Sequence, residues 1–296
     1  THRAKEIRNI IKISLNLKGF EQMNKSIPAS VLSIMILMVL LVIVSPAGAQ
    51  DQAGDADLAQ ELSNPVADLI TIPIQMNYDD NYGPGDDGWK VQTNIQPVIP
   101  FALNDKWNLI TRTIMPVIYQ EDIVPGSGSD FGLGDINMSL FLSPREPTSS
   151  GITWGFGPVL LFPTATETLL GGEKWGAGPA LVALTMRGQW TIGMLANHVW
   201  SYAGDSDRQD ISNTFIQPFA AYTTPTAWTY SVQSETTYNW ETEKWSVPVN
   251  AAVSKLVRWG KLPVSLQAGV GYWLDSPDSG PEGWRFRLQA NFVLPK

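Results

Sequence analysis

From residue 64 onward the sequence repeats one kind of unit: a ten- to fifteen-residue segment rich in Val, Ile, Thr, Trp, Tyr and Phe, closed off by Gly, Pro, Asp and Ser. Twelve units can be marked, at 65–78, 89–101, 106–120, 131–143, 151–163, 174–186, 189–202, 210–223, 227–239, 244–258, 261–274 and 283–294. β-branched and aromatic residues between turn formers spell strands. These segments are about twice the length usual in globular sheets. A strand crossing a bilayer at a tilt needs about 9–11 residues plus its interfacial ends, which is the length seen here.

Alternation within the segments separates two environments. Trp245, Val247, Val249, Ala251, Val253, Val257 and Trp259 share one face of their segment, and Ser246, Asn250, Ser254 and Arg258 share the other. Lys255 interrupts the apolar face at a position from which its stem can snorkel to an interface. In the last segment Trp284, Phe286, Leu288, Ala290, Phe292 and Leu294 alternate with Arg285, Arg287, Gln289 and Asn291. A soluble sandwich would turn charge to water, yet only 16% of this chain is charged, against roughly 25% in ordinary soluble domains. The polar faces are mostly Gln, Asn, Ser and Gly, as in an enclosed wet lumen.

Connections and tryptophans agree. Compact links such as Asn104-Asp105, Arg187-Gly188 and Gly260 alternate with longer ones such as 79–88, 121–130, 164–173 and 275–282. Such barrels have short periplasmic turns, long outer loops and an even strand count. All 12 tryptophans lie near segment ends, where amphipathic indoles form the interfacial girdles. The sequence predicts an all-β fold, a transmembrane antiparallel up-and-down β-barrel of about twelve strands, spanning 64–296.

The start of the chain reads as an address. Val31–Val44 is continuously apolar, follows Met23-Asn24-Lys25, and leads into Ser45-Pro46-Ala47-Gly48-Ala49. That is the layout of a secretory signal peptide. The expected organisation is an upstream extension at 1–22, a cleaved signal peptide at 23–49, a short periplasmic segment at 50–63, and the barrel in the outer membrane. Cleavage near Ala49 removes six of the 20 basic residues and two of the 28 acids, leaving 26 acids, 14 bases and a formal charge of −12. An acidic chain argues against nucleic acid as a partner. The absence of cysteine excludes thiolate metal sites and cysteine nucleophiles.

Several stretches also resemble a known family: Asn64-Pro65-Val66-Ala67, Gln96-Pro97-Val98-Ile99-Pro100-Phe101, Arg112–Val117, Phe131–Ile136, Gln217-Pro218-Phe219 and Phe292–Lys296. They are similar to the bacterial outer-membrane family named for the meta-pathway of phenol degradation. The resemblance covers essentially the whole predicted mature chain and implies an outer-membrane barrel that transports small, and by pathway association aromatic, solutes.

The expected function is a channel passing small solutes by diffusion through a polar lumen, with no cofactor, no metal and no catalysis. The candidate lumen residues are Arg112, Asp135, Asn137, Glu235, Arg285 and Arg287, with Gln96, Gln217 and Gln233 as neutral lining. Asp135 and Asn137 are expected on one face. Outer-membrane lipids, lipopolysaccharide and the barrel-assembly machinery are the expected partners, and acid gathers in the long connections, Asp79, Asp80, Asp86 and Asp87 among them. Two other classes remain open. A lipid-modifying enzyme would need a histidine beside a serine and an acid or amide, and His198 is the only candidate beyond the signal peptide. A structural or surface-interaction barrel would act through its loops.

Overall fold

A computed structural model describes residues 52–295; the predicted upstream extension and signal peptide lie outside the described residues. One helix, α1 (Gln52–Glu61), precedes twelve antiparallel staves. They are β1 (Ile70–Tyr82), β2 (Gly88–Ile95 continuing as Val98–Ala102), β3 (Trp107–Glu121), β4 (Ser129–Leu133 continuing as Ile136–Pro144), β5 (Ile152–Phe162) and β6 (Lys174–Arg187). The second half comprises β7 (Trp190–Gly204), β8 (Ser212–Thr223), β9 (Trp228–Ser234 continuing as Thr236–Asn239), β10 (Lys244–Trp259), β11 (Leu262–Asp275) and β12 (Gly283–Leu294). Each stave pairs with its sequence neighbours, and β12 pairs with β1 over Ile70↔Leu294 to Asp79↔Arg285, so the sheet closes without an edge. Closure pairs the backbone N–H and C=O groups within the barrel, as a lipid environment demands.

The three interruptions have local causes. Pro97 has no N–H to donate, so the β2–β3 ladder pauses there and resumes in the same register. Pro248, opposite Glu235, does the same to β9. The break in β4 is a β-bulge: between the pairs Val117↔Leu133 and Ile114↔Asn137, β3 advances three residues and β4 four.

The outer wall is apolar. Phe131, Leu181, Trp190, Ile192, Met194, Tyr230, Val232 and Val270 are all exposed there. A continuous apolar belt of this kind is a liability in water and a requirement in lipid. Aromatic residues band both ends: Tyr78, Trp89 and Tyr119 at the long-loop end, Trp107, Trp154 and Phe156 at the short-turn end. Lys255 snorkels as expected, its ammonium 5.5 Å from the Trp228 ring centre and donating to the Thr226 carbonyl. Trp273 departs from the predicted girdle. It faces inward and donates from Nε1 to Asp79 Oδ1 at 2.8 Å.

Inside, the barrel is not uniformly polar. Ile110, Phe141, Val159, Val182, Leu184, Leu195 and Val199 form a buried apolar cluster on the inner wall of β3–β7, and Val66 packs into it from the N-terminal segment. The first stave therefore begins later than the predicted residue 65. Residues 64–69 are used inside, in contact with this cluster and the lumen.

Candidate solute pathway

The lumen wall follows directly from strand register. On β12, β1, β2 and β3 the inward residues stand in rungs: Arg285↔Asp79↔Lys90↔Gln120, then Arg287↔Asn77↔Gln92, then Gln289↔Gln75↔Asn94. Gln267 joins the third rung from β11. A period of two keeps all of these on one face, and the rungs give one half of the barrel a wall of charge and amides.

The upper rungs form a bridged network. Arg285 donates from Nε and Nη2 to the two oxygens of Asp79, at 2.7 and 2.9 Å. It also donates from Nη1 to Glu235 at 3.2 Å, while Arg287 Nη2 reaches the same Glu235 oxygen at 2.7 Å. Arg287 Nε donates to Asn77 at 2.7 Å. The chain of amides continues from Gln217 to Gln233 to Glu235, with both contacts at 3.1 Å. Glu235 lies on β9 and the arginines on β12, so the guanidinium groups must pass over β10 and β11. Gly271 and Gly269 stand opposite Arg285 and Arg287 in the β11–β12 ladder and leave that space open; a Cβ at Gly271 would lie 2.4 Å from Asn250 Oδ1.

The opposite half of the lumen is lined by Leu161, Leu195, Val199, Phe215 and Phe219. The Phe219 ring passes over Gly193, where a Cβ would meet its Cζ at 2.7 Å. Between the two halves lies a cavity of about 590 Å³. Seven of the nine residues singled out from the sequence line it: Arg112, Asn137, Glu235, Arg285, Gln96, Gln217 and Gln233. Arg287 is buried behind them in the network. Asp135 does not line the cavity. The bulge places it against the β5–β6 connection, where it accepts from the Ala165 N–H at 3.1 Å and the Gly172 N–H at 2.7 Å.

That connection folds toward the lumen. Leu170 is buried, the Leu169 carbonyl accepts from Gln120 Nε2 at 3.3 Å, and Arg208 donates to the Thr168 carbonyl at 3.0 Å. Gly132 clears room for it: a Cβ there would lie 1.9 Å from Thr166 Oγ1.

At the short-turn end, α1 lies across the mouth. Ala59 packs on Ala227 and Leu256, Gln60 donates to the Gly188 carbonyl at 2.8 Å, and Asp55 Oδ1 accepts from Arg258 Nη2 at 2.6 Å. Residues 62–65, 67 and 69 then line the cavity, and Asp68 meets Asn108 at 3.2 Å and Arg145 at 3.8 Å. Burial of Glu61 raises its carboxyl above the usual value of 4.5, against a lowering contact from Asn64 and with a small further push from Asp57. The sequence reading missed Asp79, Asn77 and Lys90. Asp79 continues the inward set Gln75, Asn77, but it fell beyond the expected strand end.

His198 faces outward, toward the belt. Its Nδ1 shares a 2.7 Å hydrogen bond with Thr214 Oγ1, and its ring lies 4.0 Å from that of Trp200. Thr214 Oγ1 also accepts from Trp240 Nε1 at 2.8 Å, and His198 Nε2 has no hydrogen-bond partner among the described residues. A serine–histidine–acid or serine–histidine–amide arrangement is thus not assembled at this position. No group of three or more potential metal-binding side chains occurs among the described residues.

No family model matches the sequence, and no curated protein matches it. Among solved structures, an outer-membrane channel from Pseudomonas putida F1 is similar with a TM-score of 0.60 and 15% identity, covering 76% of this chain and 96% of that one. The NanC porin matches more loosely, with a TM-score of 0.48, 8% identity and coverage of 75% and 100%. So does outer membrane phospholipase A from Escherichia coli, with a TM-score of 0.46, 12% identity and coverage of 83% and 98%. The likeness to the Pseudomonas putida structure is one of fold, and the fold of this chain is an outer-membrane β-barrel.

Proposed function

We propose that the chain is an outer-membrane channel that passes small solutes by diffusion. The observation that carries this reading is the cavity of about 590 Å³ inside a closed barrel, lined by side chains from nearly every stave. Twelve strands fall between the eight that side chains fill and the sixteen or more that leave an aqueous pore. The pathway is narrow, with α1 and residues 62–69 at the periplasmic mouth and the β5–β6 connection at the outer one. Arg112, Glu235, Arg285 and the glutamines form its selective wall, and Arg287 and Asp79 hold that wall in place. The family resemblance extends the reading to aromatic solutes, and Phe215 and Phe219 in the lumen support it. Lipids and lipopolysaccharide surround the belt and the acidic loops in this proposal, and the assembly machinery inserts the barrel.

Full chain refolded into planar bilayers is expected to give discrete small conductance steps, and liposomes containing it to admit small neutral solutes. A barrel that is sealed in both measurements removes the channel reading.

A further inference from the structure

Among the described residues that line the cavity, Arg112 is the cation with no direct ion pair. Of the inward charges, Arg285 and Arg287 are bridged to Asp79 and Glu235, and Lys90 stands beside Asp79 with its ammonium 4.9 Å from the Tyr82 ring centre. Arg112 lines the cavity, and the carboxylate that acts on it, Glu235, lies beyond ion-pair distance and is already shared by Arg285 and Arg287. The Arg112 hydrogen bond runs from Nη2 to a neutral amide oxygen, Gln96 Oε1, at 2.9 Å, and no carboxylate among the described residues lies within ion-pair distance of it. It also sits where the two walls meet, with Gln96 and Asn137 on its polar side and Leu161 and Phe215 lining the same cavity.

An enclosed guanidinium with no counter-charge in direct contact is costly unless an anion or water completes it. Its planar fork matches a carboxylate in geometry. The adjoining aromatic and aliphatic wall would bury an apolar body, and the cavity volume falls within the range of small-molecule sites, about 300–1,000 Å³. Resting on the channel reading above, we infer that the lumen contains a binding site for amphipathic monocarboxylates, with the carboxylate on Arg112 and the apolar body against Phe215 and Phe219. The acidic loops do not decide this preference. At physiological salt their field is screened over about 8 Å, so the choice between anion and cation is made at the lumen wall.

Calorimetry on the full chain refolded in detergent tests the site, with benzoate as the probe and acetate, benzyl alcohol and benzylammonium as controls. Benzoate is expected to bind at least about tenfold more tightly than any control, the scale of one charge-assisted contact joined to apolar burial. Arg112→Gln should remove about that factor for benzoate and leave benzyl alcohol unchanged. Arg112→Lys, which keeps the charge without the fork, should fall between. Phe219→Leu should weaken benzoate and not acetate, and serves if Arg112→Gln fails to refold by heat-modified gel migration. Benzoate binding no tighter than acetate or benzyl alcohol, or unchanged in folded Arg112→Gln or Phe219→Leu protein, overturns the site. Bilayer conductance on the same preparations separates the two ideas. Conductance without benzoate preference removes the site and keeps the channel; Arg112-dependent binding in a sealed barrel does the reverse.

Discussion

At the residue scale, Asp79 carries the most structure per atom. It accepts from Nε and Nη2 of Arg285 and from the Trp273 indole N–H, and its side chain is 3% exposed. Removing one partner of a buried pair leaves the other charge unsolvated, which costs about 3–5 kcal/mol. Asp79→Ala is therefore expected to lower the urea midpoint of the refolded barrel by an amount equivalent to about 3 kcal/mol, the low end because the lumen admits water. A shift below about 1 kcal/mol would show that the network contributes little. Parity made Arg112, Gln217 and Gln233 legible in the sequence, since no bulge separates them from the residues that set their faces. Asp135 was not legible in this way. A bulge adds one residue without a compositional mark, and every face assigned across it shifts by one. Asp79 was missed for another reason: the run Asp79-Asp80-Asn81 ahead of Gly83-Pro84 reads as loop, whereas the ladders to β12 and β2 and the bonds to Arg285, 206 positions away, and Trp273 hold it in the sheet.

At the element scale, α1 is a weak helix made useful by where it docks. It begins with polar and small residues and holds its place through Ala59 on Leu256 and the Asp55–Arg258 pair, in which Asp55 is buried and Arg258 about one-third exposed. Asp55→Ala should loosen this end and raise bilayer conductance several-fold, while a doubled substitution with Arg258→Ala adds little because the two act as one contact. The Glu61 carboxyl gives this element a pH dependence. Its docked value lies above 4.5, so the docked state gains most below that value, where the group is neutral whether docked or free. That advantage is lost as pH rises through the raised value, and conductance should climb with it. Equal conductance on both sides of this window, together with no effect of Asp55→Ala, would show that α1 does not govern the passage. The sequence contained ample sign of the strands and little of this helix, because its docking partners lie in turns and strand ends more than 120 residues away.

At the scale of the whole molecule, the barrel presents lipid with one surface and solute with two. Outward tryptophans such as Trp190, Trp200, Trp245 and Trp259 are about half exposed on the belt, whereas Trp273 is held inside by Asp79 and stacks 4.5 Å from Arg285. Brominated lipids should quench most of the tryptophan emission and spare a fraction that disappears in Trp273→Phe. Complete quenching of the wild type would place Trp273 on the wrong side of the wall. The twelve staves were legible almost to their ends, since a bilayer fixes strand length and both wall faces impose a period of two. The division of the lumen into polar and apolar halves was less so. Ile110, Ile114 and Ile118 alternate inward with Arg112, but apolar residues on both faces of β3 and β5 blur the pattern that makes β9 and β12 easy to read.

The seam between β1 and β12 joins the earliest and the latest strands of the barrel, and two of its inward pairs are Asp79 with Arg285 and Asn77 with Arg287. Arg285 and Arg287 share Glu235 of β9, but Arg285 gains Asp79 and Arg287 gains Asn77 only when the ring is complete. Assembly has a chronology as a result. The residues before β1 lie inside the finished barrel, and closing the seam is the step that brings Asp79 to Arg285. A chain stalled one hairpin short would be left with an open edge, with Asp79 parted from Arg285 and Asn77 from Arg287, a state distinguishable from the finished barrel by its electrostatics as well as its shape.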